Sequence, residues 1–221
     1  MIIFFNFDEH GGIHSDFDES CQNIHGKIAG EKLDSLCSED AAYEYFCDIA
    51  DRFIGVPIAA IARFDQSSEE GYALFRTRIR AIYRASVWGQ FSLLCEGIST
   101  PDELEKCADI LKEVFCELES EGREFNGFIE KGVCTDTPMT LYNLNEHLRF
   151  DFICFDLQKL RRLCTGTSGL RRGESELISH VSRICQRLDK CEIAIKASGA
   201  EEAKRAVKLL ESIRINKIFL K

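Results

Sequence analysis

A single (β/α) barrel is the fold this sequence predicts, and three observations predict it. Strand-like and helix-like segments alternate seven or eight times along 221 residues with no linker between them. The strand-like runs are apolar throughout rather than alternating, as expected for strands of a parallel sheet covered on both faces. The glycine-rich phosphate loop that would mark a doubly wound sheet is missing after the first strand, where "HGG" at 10–12 makes no such fingerprint.

Taken in order, "IIFFNF" is a short aromatic-rich run of the kind found in buried strands. The thirty residues from Asp8 to Cys37 are rich in Gly, Asp, His and Ser, and only "GKIAGE" reads as a strand there. From Ser38 the pattern clears. "SEDAAYEYFCDIADRF" opens on a Ser cap and two acids and carries Ala42, Tyr45, Phe46 and Ile49 at helical spacing. "VPIAAIARF" is a buried strand. The next helix starts near Glu69, with Phe75, Ile79 and Ile82 on one side, and strand "FSLLCEGI" follows.

"STPDELEKCADILKEVFCELESEG" carries the strongest local signals: Thr100 as cap, Pro101 at the first helical position, Glu103 completing a capping box and Gly122 as the stop. Strand "FIEKGVCTDT", helix "MTLYNLNEHLR", strand "FDFICFD" and helix "ESELISHVSRICQRLDK" come next. Strand "EIAIKA", helix "AEEAKRAVKLLESIR" and strand "KIFLK" close the chain. The reading is one domain over residues 1–221, with residues 1–37 as first strands or a lid.

A composition of 45% apolar and 29% charged residues is that of a globular chain. The formal net charge of −9 argues against a dedicated nucleic-acid binder or a membrane-surface protein, since both need positive potential. Eleven cysteines form no CxxC pair and read as buried free thiols. Among them, Cys47, Cys107, Cys116 and Cys185 are placed on apolar helix faces, and Cys95, Cys134 and Cys154 inside strands. That usage fits a reducing cytoplasm. "MIIFFNFDEH" lacks the basic and long apolar regions of a signal peptide, and no stretch is long enough to span a bilayer. The expectation is a soluble, cytoplasmic protein.

Four segments carry a resemblance: "FRTRIRAIYRAS", "LLCEGISTPDELEKCADILKEV", "ELESEGREFNGFIEKGVCTDTP" and "FDFICFDLQKL". Their order and spacing resemble the C-terminal barrel of phosphoenolpyruvate (PEP)-utilising enzymes. Among these the chain is most similar to PEP-protein phosphotransferase, enzyme I of the bacterial sugar phosphotransferase system. The likeness runs from about Ser38 to Lys221, and "FRTRIRAIYRAS" is its most specific part. It implies an α/β fold, a single shortened (β/α)8 TIM-like barrel of the phosphoenolpyruvate/pyruvate type. Such a barrel binds PEP and Mg²⁺ at the strand C-termini and commonly pairs into dimers.

Residue by residue, the resemblance puts Asp136 where the family has a metal-binding Glu, one methylene shorter in reach. It puts Lys159 at the second metal ligand and Gln158 beside it, and an ammonium there repels Mg²⁺. Ile61 falls at one phosphate-binding Arg, and Glu31 or Lys32 at another. Ala194 falls at the catalytic Cys, with Cys191 three residues early. Arg171 or Arg172 matches a further arginine of the family.

The implied set is therefore Asp136, Asp156, Arg171 and Arg172 as ligand-binding residues, with Lys159 and Cys191 as weak catalytic candidates. Asp136 is the candidate Mg²⁺ ligand, an implication weakened by Lys159. Asp8 and Glu96 also end strands, so a ring of carboxylates could serve a different cation, while Asp136 fits equally well as a cap for the next helix. Arg76, Arg80 and Arg84 read as a solvated face pairing with acids, and "LRRLCTGTSGLRRG" as an arginine loop near the mouth that suits an anion. The five histidines form no metal-binding spacing. The expected function is a degenerate barrel, without PEP phosphotransfer, that binds a small anionic ligand or regulates. The alternative is an active metal-assisted transferase or lyase on a small phosphorylated or carboxylated substrate.

Overall fold

A computed structural model describes residues 2–7, 13–18, 24–30, 38–144, 149–165, 171–188, 191–210 and 213–220; side chains are described only from residue 26 onward and not for 164–165 or 171–176. Seven strands form a closed barrel. In ring order they are β3 (Ile24–Ala29), β4 (Ile58–Arg63), β5 (Phe91–Glu96), β6 (Glu130–Thr135), β7 (Phe152–Phe155), β8 (Glu192–Ala197) and β9 (Lys217–Leu220). Every neighbouring pair is parallel, and β3 closes the ring by pairing with both β4 and β9. The expected shortened barrel is thus one of seven strands, and "GKIAGE" supplies a strand of the ring. "IIFFNF" is β1 (Ile2–Phe7), which pairs with β2 (Ile13–Asp18) in a separate antiparallel sheet. The carboxylate expected at Asp8 and the candidates Glu31 and Lys32 lie outside the described residues.

The apolar runs of the strands divide by parity into two layers. Odd positions of β4 and even positions of β5 to β8 face the barrel axis: Ile28, Ala59, Ile61, Leu94, Cys134, Phe152, Cys154, Ala194 and Phe219 form one buried cluster. The other face of each strand packs under the helices α1 (Glu39–Arg52), α2 (Glu69–Ala85), α3 (Pro101–Ser120), α4 (Pro138–Asn143), α5 (Leu157–Thr165), α6 (Arg171–Arg187) and α7 (Ala200–Leu209). Low in the barrel, Phe152 and Phe219 lie with ring centroids 5.9 Å apart. They fit because β6 carries Gly132 opposite, where a Cβ would sit 2.2 Å from the Phe152 ring. Gly132→Ala is therefore expected to lower stability by about 1–3 kcal/mol through overpacking, read as a drop in the denaturant midpoint with an unchanged slope.

The N-terminal face is closed by Lys217, whose Nζ lies 2.5 Å from Glu130 and 2.7 Å from Glu192 and over the Phe152 ring. On the flank, the arginine stripe of α2 is a clasp. Arg76 pairs with Glu113 and Glu117, Arg80 with Glu39, Glu117 and Glu121, and Arg84 with Glu39 and Asp40. The stripe joins α1, α2 and α3, so the pairing expectation holds, while the face is not solvated: the three arginine side chains are only 14–20% exposed. The capping box of Thr100 and Glu103 is formed in full.

Three readings are corrected. Cys116 is exposed, whereas Cys95, Cys107, Cys134, Cys154 and Cys185 are buried. α6 begins at Arg171 rather than near Glu174. The arginines read as one loop lie on two helices, Arg161 and Arg162 in α5 and Arg171 and Arg172 in α6, because helical propensity carries through both RR pairs. Among the described residues no helix is long and apolar enough to cross a membrane.

Candidate functional site at the barrel mouth

The inward parity that builds the apolar layers also decides what stands at the C-terminal ends of the strands. Glu96 ends β5, Asp136 and Asp156 directly follow β6 and β7, and Lys196 lies near the end of β8 on the same face as Ala194. Gly97 gives the chain its turn after Glu96, with φ at +82° and the Phe64 carbonyl 2.7 Å from where a Cβ would be.

Asp136 does not cap α4. Thr137 does that, its hydroxyl accepting from the Thr140 amide. The Asp136 side chain is released to turn inward, where it is only 5% exposed. One of its oxygens, Oδ2, accepts from the Lys159 ammonium, and the other, Oδ1, is buried with no hydrogen-bond partner among the described residues. Asp156 opens α5: its Oδ1 accepts from the Lys159 amide at 2.9 Å. That bond sets the first turn of α5, and the turn delivers Lys159 to Asp136.

Lys196 is the residue that sequence reasoning missed. It is 4% exposed, donates to Glu96 Oε1 at 2.6 Å, and stands 4.0 Å from Asp156 Oδ2. The signal was available: a lysine in the otherwise apolar "EIAIKA", at even spacing from Ala194, must point down the barrel axis. The in-frame match drew the reading to Ala194 instead. Among the described residues, three carboxylates and two ammonium groups thus meet at the mouth in ion pairs, close to charge balance.

The structure brings Asp136, Asp156 and Lys159 together. It does not bring Cys191 to them. Cys191 precedes β8, at the opposite end of the barrel, with its sulfur 3.6 Å from the carbonyls of Phe150 and Asp151. Burial, then the charges of Asp151 and Glu192, push its thiol up to about 11, away from the thiolate form that nucleophilic chemistry needs. Arg171 and Arg172 open α6, and their side chains lie outside those described. Ile61 is buried in the barrel interior, so no guanidinium stands at that point.

Nor does the donor set fit magnesium as it stands. The ion needs lone pairs from Asp136, and the Lys159 ammonium already holds one of its oxygens. Among the described residues no three His, Cys, Asp or Glu side chains converge as a metal cluster.

A sequence model of the PEP-utilising enzyme, PEP-binding domain matches residues 60–206, most of the chain, including every mouth residue named above. The chain belongs to the PEP-utilising, PEP-binding domain family. Within that family, a stretch of 65 residues is 37% identical to the PEP-protein phosphotransferase of Listeria monocytogenes, covering 29% of this chain and 11% of that protein. A stretch of 67 residues is 33% identical to the Staphylococcus aureus PEP-protein phosphotransferase, covering 30% and 12%. The match thus spans only a small part of these curated relatives.

Solved structures agree on the fold. A citrate lyase from Burkholderia xenovorans LB400 superposes with a TM-score of 0.60 at 12% identity, over 92% of this chain and 74% of that one. The Haloferax volcanii malate synthase in its magnesium/glyoxylate complex does so with 0.59 at 13% identity, over 82% and 56%. The chain is a barrel of the PEP/pyruvate TIM type.

Proposed function

We propose that this PEP-binding domain is a degenerate member of its family, a pseudoenzyme without PEP phosphotransfer activity that works as a binding or regulatory module. The observation that carries the reading is the Lys159 ammonium on Asp136. Phosphoryl transfer is almost entirely positioning and electrostatic stabilisation by metal and cationic donors, and losing a single such donor costs roughly 10²–10³ in rate. Here a lysine occupies the metal position by resemblance, and Ile61 and Ala194 replace a cation and a thiol. Magnesium has no role in this reading. The partner is a small anionic ligand rather than nucleic acid or membrane, and a cytoplasmic homodimer is the expected state.

One observation favours the rival reading, a metal-assisted transferase or lyase on a small phosphorylated or carboxylated substrate. The buried, unpartnered Oδ1 of Asp136 is an acceptor available to a substrate hydroxyl. One experiment tests the first reading. The protein is incubated with PEP and Mg²⁺, water serving as the phosphoryl acceptor, while pyruvate and inorganic phosphate are followed and the melting temperature is recorded. No pyruvate and no thermal shift are expected, and clear turnover would sink the proposal.

A further inference from the structure

We infer that the module's ligand is a small organic carboxylate with an apolar body, seated in a cleft on the barrel flank between α5, α6 and α7. The inference takes its biological role from the binding-module reading above, but its site stands on separate observations. The mouth charges are engaged with one another in ion pairs, and this cleft holds about 310 Å³ of space. That is room for about ten waters at ~30 Å³ each, at the lower end of small-molecule sites.

Its floor is apolar: Leu157, Leu177 and Ala206 are all buried there, and the half-exposed Leu209 stands at the entrance. The charged groups are two glutamates and two arginines, and they differ in how they are engaged. Glu202 is occupied, accepting from the Ser198 amide at 2.7 Å and from the Ser198 hydroxyl. Glu201 is 93% exposed and lies 3.8 Å from Lys204. Among the described lining residues, the positive charges are the guanidinium groups of Arg161 on α5 and Arg205 on α7. Each has interactions within the protein, but a guanidinium carries five donors in a rigid fork and can serve a neighbour and a carboxylate together.

An apolar floor under two cationic forks complements a carboxylate on a hydrocarbon or aryl body. It does not suit inorganic phosphate, which has no part to bury. The cleft is also too small for a docked helix, whose diameter with side chains is about 10–12 Å.

The test titrates the full chain, by calorimetry and by amide chemical shifts, with 4-phenylbutyrate, 4-phenylbutanol and acetate. Saturable binding is expected from 4-phenylbutyrate alone. Arg205→Gln is expected to weaken it at least tenfold, and Ala206→Trp to abolish it. Leu209→Trp narrows the entrance at an exposed position and gives the same loss should the buried Ala206 variant fail to fold. Lys112→Ala, at an exposed position on α3, is expected to leave it unchanged. Binding of the alcohol as tight as that of the acid would overturn the inference, as would acid binding indifferent to both tryptophan variants. A protein that makes pyruvate from PEP yet binds 4-phenylbutyrate in the cleft would lose the earlier proposal and keep this one. An inert protein that ignores 4-phenylbutyrate would do the reverse.

Discussion

Replacing Lys159 with alanine is expected to create a magnesium site that the wild-type barrel is expected to lack. Lys159 is 46% exposed and Asp136 only 5%, so the substitution removes a charge from the solvent side of the site and little packing with it. What remains is Asp136 without its lysine, beside Glu96 and Asp156, which flank the Lys196 ammonium. Asp136 then has both oxygens without a partner, which is the condition a hard divalent ion relieves. Magnesium commonly binds through one or two carboxylates and completes its octahedron with water, so no three-residue cage is required. For a weak site with a Kd of about 1 mM, 10 mM Mg²⁺ stabilises the fold by about 1.4 kcal/mol. In a chain of this length that is a rise of roughly 3–6 °C in melting temperature. The wild-type protein is expected to melt at the same temperature with and without the ion. A variant as indifferent as the wild type would refute the idea that the ammonium substitutes for the metal, and a wild type that responds equally would refute it more directly.

The parts of this architecture written in local signals were legible before any coordinates. The α3 capping box needs only Thr100, Pro101 and Glu103 in sequence, and it formed as read. Apolar continuity gave β4, β5, β7 and β8 because both faces of each strand are covered. "IIFFNF" has the same texture yet pairs outside the ring, since an apolar run states that a strand is buried and not which strand it meets. The site was harder for a related reason. Asp136 and Lys159 were each singled out, one as a ligand and the other as an obstacle to a metal. Their union depends on α4 being capped by Thr137 and α5 by Asp156, two local choices whose joint result appears only when β6 and β7 lie side by side. Lys196 and Glu96 are a hundred residues apart in sequence, and nothing local joins them.

That buried pair carries the second large effect. Lys196→Met keeps an unbranched apolar stem and removes the ammonium, leaving Glu96, 16% exposed, without its 2.6 Å partner. Removing one member of a buried pair costs about 3–5 kcal/mol, because the remaining charge stays desolvated without compensation. Some solvent access at Glu96 puts the expected loss near 3 kcal/mol. The melting temperature then falls by roughly 6–12 °C.

The double variant Lys196→Met/Glu96→Leu is expected to recover most of the loss, since a well-packed apolar pair is often as stable as the ion pair it replaces. Lys159→Ala without magnesium is expected to cost far less, its ammonium being half in solvent and screened by salt. This ordering discriminates between the two views of the mouth. A mouth filled by its own charges makes Lys196 costly to lose and its double replacement mild. If Lys196→Met costs under about 1 kcal/mol, water reaches Glu96 freely. The mouth is then open to a substrate, and the enzyme reading gains what the binding-module reading loses.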